Sequence, residues 1–274
     1  MIIYLLFVTF LAKILYRFFY KSSFQLTNLK DEYINIYTKK IVKKSNLKHI
    51  AFIIDGNRRW SKENKKSYEK GYLEGSNKLK KIIFDCQDFG IKYISVYAFS
   101  TLNFKRPKNE IETFMKVFIE QLKNTLDELM KKDIHFKFIG NLRDIKEDFR
   151  KYFLSIEEKT KENNGLYLQI AFNYTSREEI TNAVKNIANK IINNEIKKEN
   201  ISEDLIAKEL YTGTVHDPDM VIRTSGEKRI SNFLLWQIAF SELFFYKENW
   251  PDFGREQLIN AIIGFGKRKR NFGK

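Results

Sequence analysis

The chain has 274 residues, a formal net charge of +15 and one cysteine. That length suits one α/β domain with a single sizeable core, and one cysteine excludes an intrachain disulfide framework, which is compatible with a reducing compartment. The charge admits nucleic acid, an anionic membrane or phosphorylated small molecules as partners, yet no zinc-finger spacing, RNA-binding signature or helix-turn-helix pattern accompanies it, and much of the lysine is interspersed with Asn, Glu and Asp as on a solvated surface.

Met1 to Ala12 is uncharged and mostly apolar, and Lys13 and Arg17 interrupt a further apolar stretch that ends at Tyr20. The whole segment is about long enough to span a bilayer, and Lys13, Arg17 and Lys21 recur at helical spacing, where they could snorkel to one interface. It lacks a small-residue cleavage site and a preceding basic region. It therefore reads as an N-terminal apolar helix over 1–21, a retained anchor or a membrane-surface helix, whose basic flank keeps the remainder of the chain on the cytoplasmic side. Residues 22–48 form a polar, lysine-rich connector with weak helical periodicity.

Ile50 to Ile54 is a run of five apolar residues, rich in β-branched types, and reads as a buried strand. It stops at the turn Asp55-Gly56-Asn57, and Arg58, Arg59 and Trp60 come next. A carboxylate at the C-terminal end of a parallel strand sits where open α/β sheets hold ligands. Asp55 could hold a hard cation such as Mg²⁺, Gly56 admits backbone N–H groups to a phosphate, and the arginines neutralise it. Taken alone, the same residues read equally well as a strand, a turn and a solvated basic helix start.

Further strands are expected at 93–99, 135–139, 166–172, 220–223 and 243–246, with helical stretches between them. This alternation argues for a single α/β domain over 49–274, with a mainly parallel sheet of about six strands covered by helices. The amphipathic stretches 79–89 and 111–130 could wall a hydrophobic cleft or tunnel, or simply pack the core; Cys86, within the first, reads as a packed thiol. Residues 186–208 read as a solvated helix–loop–helix.

Four blocks in order carry a family likeness. They are His49 to Trp60; Tyr97-Ala98-Phe99-Ser100-Thr101-Leu102-Asn103-Phe104-Lys105-Arg106-Pro107; Asn173-Tyr174-Thr175-Ser176-Arg177-Glu178-Glu179-Ile180; and Asp219 to Glu227 running through Arg229 to Gln237, Glu242 and Trp250-Pro251-Asp252-Phe253. Together they resemble the signatures of the cis-prenyltransferases, the undecaprenyl and dehydrodolichyl diphosphate synthases. The likeness covers Leu47 to Gly273. The Tyr-Thr-Ser-Arg and Arg-Thr-Ser-Gly-Glu variants look like the eukaryotic dolichol-type enzymes.

The resemblance implies Mg²⁺-dependent condensation of isopentenyl diphosphate with a farnesyl-type allylic diphosphate to give a long polyprenyl diphosphate. It makes Asp55 and Glu242 the metal carboxylates, with Asp55 also assisting pyrophosphate departure. Gly56, Asn57, Arg58 and Arg59 would cradle the allylic diphosphate, with Trp60 as a wall. Ser100 and Asn103 would handle the proton and orient substrate; an amide is a poor base, so Asn103 reads as an orienter of water or pyrophosphate. Thr101, Leu102, Phe104 and Arg106 share that loop. Arg223, Arg229, Ile230 and Ser231 would receive isopentenyl diphosphate, the guanidinium fork matching phosphate. The implied setting is the endoplasmic reticulum membrane, with the chain a homodimer or paired with an accessory subunit; a non-catalytic accessory subunit is the alternative reading. A nucleotide or nucleic-acid role lacks a Gly-x-x-x-x-Gly-Lys loop. Three positions depart from the family pattern: Tyr72 stands where a histidine is common, Tyr68 where a basic residue is common, and Asn271 where the C-terminal Arg-x-Gly has its arginine.

Overall fold

In the computed structural model, which describes residues 31–269, all five residues of β1 (His49–Ile53) are buried. A strand covered by helices on both faces of a parallel sheet tolerates such an uninterrupted apolar run. The remaining strands are β2 (Tyr93–Ser100), β3 (Ile134–Ile139), β4 (Leu166–Tyr174), β5 (Met220–Arg223) and β6 (Glu242–Phe245), and the sheet order is β3-β4-β2-β1-β5-β6. Every pairing is parallel. The expected α/β architecture is present, and each expected strand lies within two residues of its observed bounds.

Residues 31–45 form helix α1. It is followed by α2 (Asn57–Glu63), α3 (Tyr68–Phe89), α4 (Lys108–Lys131), α5 (Glu147–Thr160), α6 (Ser176–Ile192), α7 (Glu203–Glu209) and α8 (Arg255–Lys267). The helix–loop–helix read over 186–208 is the end of α6 and most of α7.

Successive side chains of a strand point to opposite faces, and here they feed two cores. Phe52, Val96 and Ile222 belong to the larger core, with residues of α3, α4, α5 and α8; Ala51, Ile53, Tyr97 and Val221 belong to the smaller one, with Phe233 and Leu234. Cys86 is fully buried in the larger core, and burial pushes its thiol far above the usual range, so it is a packing group and not a nucleophile.

The connector expected over 22–48 is partly helix. Val42 and Leu47 join the larger core, and Ile41 packs so tightly on Gly266 that a side chain there would collide with it. Among the described residues no helix is long and apolar enough to cross a membrane, and the anchor expected over 1–21 lies outside them.

The strand order positions the site. The chain leaves β1 for β2 on one side and returns to β5 on the other, and β5 then leads outward to β6. Connections that diverge from two adjacent strands open a crevice at their carboxyl ends. Arg223, the last residue of β5, pairs with Ile53 of β1, and Asp55 comes two residues later.

At the amino end of β1, His49 is 1 % exposed; its Nδ1 meets the His216 carbonyl and its Nε2 lies 2.9 Å from Ser95 Oγ. Burial pushes the imidazole from 6.5 down to about 4. The unfolded chain therefore takes up this proton first as pH falls, so the stability this group contributes is present above about pH 6.5 and is lost toward pH 4. Urea unfolding followed from pH 7 to pH 4.5 should show stability falling, with His49 contributing up to about 1.4 kcal/mol per pH unit. The His49→Gln variant, less stable at pH 7, should show a shallower decline; an identical slope would remove His49 from the account.

Candidate active site

Asp55 is carried past the end of β1 by a turn that only glycine fits. Gly56 has φ of +107°, and a Cβ there would lie 2.5 Å from Asn249 Oδ1. The Asp55 carbonyl accepts bonds from Thr224 Oγ1 at 2.6 Å and Trp250 N at 3.0 Å, so the loops after β1, β5 and β6 meet on it. Arg223 enters from β5 with its side chain 4 % exposed. Its Nη2 donates to Asp55 Oδ2 at 2.9 Å, and its Nη1 donates to Ser231 Oγ at 2.6 Å and to the Arg229 carbonyl. Its Nε is buried without a partner. Ser231, Asn232 and Leu234 all have positive φ. Left-handed backbone at a residue such as leucine is strained, and the strain is held here by full burial of Phe233 and Leu234 beside Tyr97 and Tyr174.

A pocket of about 460 Å³ opens over this pair, lined by Arg58, Arg59, Lys62, Arg106 and Arg223, with Asp55 as its one carboxylate. Five cations around one acid make a polyanion site. A second cavity, of about 90 Å³, lies between α3 and α4 and is walled by Leu79, Ile83, Phe118, Leu122, Leu129 and residues of β3 and β4. The two share Ile54, Asn57, Ala98 and Phe114 as lining, so a charged chamber adjoins an apolar one. The expected hydrophobic cleft lies between the two amphipathic helices read from the sequence.

Of the residues singled out from the sequence, Asp55, Gly56, Asn57, Arg58, Arg59, Ser100, Leu102, Asn103, Arg106, Arg223 and Ser231 line this pocket. Asn103 Oδ1 accepts the Ser100 backbone N–H at 2.9 Å, which fixes the side chain's orientation; its amide NH₂ is a donor. Trp60, Thr101, Phe104, Arg229 and Ile230 are not among the lining residues. Trp60 Nε1 donates to Asp252 at 2.9 Å, and Phe104 packs on Phe99. Arg229 points outward, 61 % exposed, paired with Glu227, which also holds Arg59 at 2.8 Å.

Glu242 is not brought to Asp55. It opens β6 in register with Met220, and Met220 pairs with Ile50. Five residues of extended chain, roughly 16 Å, then separate its level in the sheet from Asp55. It is ion-paired with Arg268. The sequence showed a carboxylate after an apolar run but not the end of the strand on which it falls. Among the described residues no three His, Cys, Asp or Glu side chains converge as a metal cage. Magnesium is commonly held by one or two carboxylates, with substrate phosphates and water completing its octahedron, so Asp55 alone fits an ion that arrives with a phosphate ligand.

Tyr72, Lys62 and Phe114 line the pocket and were not anticipated as site residues. Nor was Glu110, which is buried behind the wall; its signal was the i,i+4 spacing from Arg106 at a helix start.

Residues 53–273 match the family model described as "Putative undecaprenyl diphosphate synthase". An isoprenyl transferase of Clostridium acetobutylicum is 45% identical over 229 residues, covering 82% of this chain and 89% of the relative. The ditrans,polycis-undecaprenyl-diphosphate synthase of Micrococcus luteus, named as specific for (2E,6E)-farnesyl diphosphate, is 43% identical over 244 residues, covering 87% and 98%. The crystal structure of lavandulyl diphosphate synthase from Lavandula x intermedia, in complex with dimethylallyl diphosphate, superposes with a TM-score of 0.80 at 33% identity, covering 82% of this chain and 98% of that one.

Two expectations are corrected by these relatives. Relatives at 43–46% identity are bacterial prenyltransferases, so the likeness is not specific to the eukaryotic dolichol-type enzymes. The endoplasmic reticulum setting falls with it, because bacteria such as these have no such organelle. The short motif variants that suggested it span a few residues and are outweighed by identity along more than four-fifths of the chain.

The cationic pocket predicts its own ligand class. Inorganic pyrophosphate should raise the melting temperature of the protein by mass action, and added salt should weaken the effect. Arg223→Ala and Arg59→Ala should each reduce the shift. An equal shift in wild type and both variants would place the anion elsewhere.

Proposed function

The chain belongs to the undecaprenyl diphosphate synthase family of prenyltransferases, which elongate cis-prenyl chains, and we propose that it adds isopentenyl diphosphate repeatedly to a farnesyl-type allylic diphosphate to build an undecaprenyl-class product. The observation that carries this reading is the shared wall between the cationic pocket and the apolar cavity. A substrate with a diphosphate head and a growing hydrocarbon tail needs both chambers, joined.

Each cycle breaks the allylic C–O bond, expels pyrophosphate, joins the allylic carbon to the terminal alkene carbon of isopentenyl diphosphate, and releases one proton to set the new cis double bond. Arg58 and Arg59, with Gly56 and Asn57, hold the allylic diphosphate. Arg223 and Ser231 hold the isopentenyl diphosphate, and Arg229 joins them by turning away from Glu227. Asp55 would hold Mg²⁺; when bound, the ion would neutralise the charge of the departing pyrophosphate. Asn103 orients the pyrophosphate or water that receives the proton, since its amide NH₂ is a donor and not a base.

A second copy completes the assembly. Phe240 is 74 % exposed, and Leu243 and Phe245 are exposed on edge strand β6, which supports a homodimer through that edge. The C-terminal tail around Asn271 lies outside the described residues. An accessory, non-catalytic role is disfavoured by the convergence of Asp55, Arg58, Arg59 and Arg223 on one pocket.

The likeness to lavandulyl diphosphate synthase supports a second reading, in which condensation stops at a short product. Sizing the product made from farnesyl diphosphate and labelled isopentenyl diphosphate decides between them: a long cis-polyprenyl ladder is expected, and a single short product would favour the second. Asp55→Ala, assayed below its melting temperature, should lower turnover about a thousand-fold; the melting temperature should fall as well, because Arg223 is left buried without its counter-charge. Arg223→Ala should raise the KM for isopentenyl diphosphate more than that for the primer; the reverse order would mean that the two substrate sites have been exchanged.

A further inference from the structure

The side chain of Glu110, in the first turn of α4, is 5 % exposed and stands behind the pocket wall. Three pocket-lining groups converge on it. Arg58 Nη2 lies 3.3 Å from its Oε2, Arg106 Nη1 lies 3.4 Å from its Oε1, and Tyr72 Oη donates to Oε1 at 3.1 Å. The Arg58 guanidinium also lies 5.3 Å from the centre of the Tyr68 ring. Arg58 is thus held by both a carboxylate and an aromatic face.

We propose that Glu110 is the positioning residue of the primer side of the site: its buried carboxylate holds Arg58 and Arg106 aimed at the diphosphate before substrate arrives. The proposal rests on the assignment of Arg58 to the allylic diphosphate. A free arginine side chain gives up rotamer freedom when it is fixed. Arginines already held by Glu110 lose little of that on binding. The cluster accounts for two aromatic departures from the family pattern. Tyr68 stacks on Arg58 in place of a basic residue. Tyr72 is a donor that stays neutral, burial having pushed its phenol up to about 12.

Two effects oppose each other when Glu110 is removed. Loss of a negative charge makes the pocket more attractive to a polyanion, whereas release of two guanidiniums leaves them to be ordered by the substrate. The allylic KM reads which effect wins: loss of aim raises it, whereas loss of the negative charge alone would lower it.

The test uses Glu110→Ala, the near-isosteric Glu110→Gln, Tyr72→Phe and, as the control, Arg58→Ala. Each is assayed for both KM values, kcat and melting temperature. Glu110→Ala should raise the allylic KM about tenfold while the isopentenyl KM changes less than about twofold. Glu110→Gln, which keeps the packing even where the alanine variant folds poorly, should raise the allylic KM by a smaller factor, and Tyr72→Phe by less again. In Arg58→Ala, adding Glu110→Ala should cost less than it does in wild type. A fall in the allylic KM, an equal rise in both, or a lowered melting temperature with unchanged kinetics would overturn the proposal. If Arg58→Ala itself leaves the allylic KM unchanged, the site assignment falls and the proposal with it. If Arg58→Ala raises that KM and the Glu110 variants do not, the proposal alone falls.

Discussion

The ion pair between Asp55 and Arg223 is the constraint on which the rest of the site depends. A guanidinium as buried as that of Arg223 is tolerable only when a charge and fixed oxygens meet both of its terminal NH₂ groups. The Asp55 carboxylate, from the turn after β1, and the Arg229 carbonyl and Ser231 hydroxyl, both from the segment after β5, supply these. Satisfying one buried cation therefore fixes the turn after β1 against the long segment after β5. The positive φ angles of Ser231, Asn232 and Leu234 are tolerated because that segment is held at both ends, by Arg223 and by the bonds that tie Ser176 and Arg177 to Asn232.

Close approach is the second constraint. Gly75 of α3 lies where any side chain would collide with the Asn57 amide, and its carbonyl accepts the Trp250 indole N–H at 2.8 Å. Helix α3 can lie this near to the start of α2 only because that position is bare. The consequence is an Asn57 that lines both the polar and the apolar chamber, with its buried Oδ1 unpartnered.

The sheet was legible in the sequence because parallel strands buried on both faces write themselves as short runs rich in β-branched and aromatic residues. The residues at the ends of β1 and β5 were legible because motif blocks and strand ends coincide there. Side-chain direction was not. Arg229 and Glu242 sit in recognisable blocks, yet one turns outward to Glu227 and the other opens its strand at the far end of the sheet, ion-paired with Arg268. Block matching carries residue identity but not the pleat or the partner that aims a side chain. Glu110 was missed for the opposite reason: an acid near a helix start ordinarily reads as a favourable first-turn charge, and only three-dimensional convergence distinguishes it. The helix over 31–45 was read within a polar, lysine-rich connector because its helical periodicity is weak; Val42, with Ile41 packed beside it, seats it on the larger core.

The burial of Cys86 has a practical consequence. The chain's one thiol is sealed on the buried face of α3 and held protonated, so it does not compete with reagents that attack thiolates. The natural chain is thus already a blank background for thiol chemistry. A single cysteine introduced on the outer face of α3, and another on that of α4, would carry a spectroscopic pair without any prior deletion. Such a pair would report whether the distance between the two helices changes when a polyprenyl diphosphate is added.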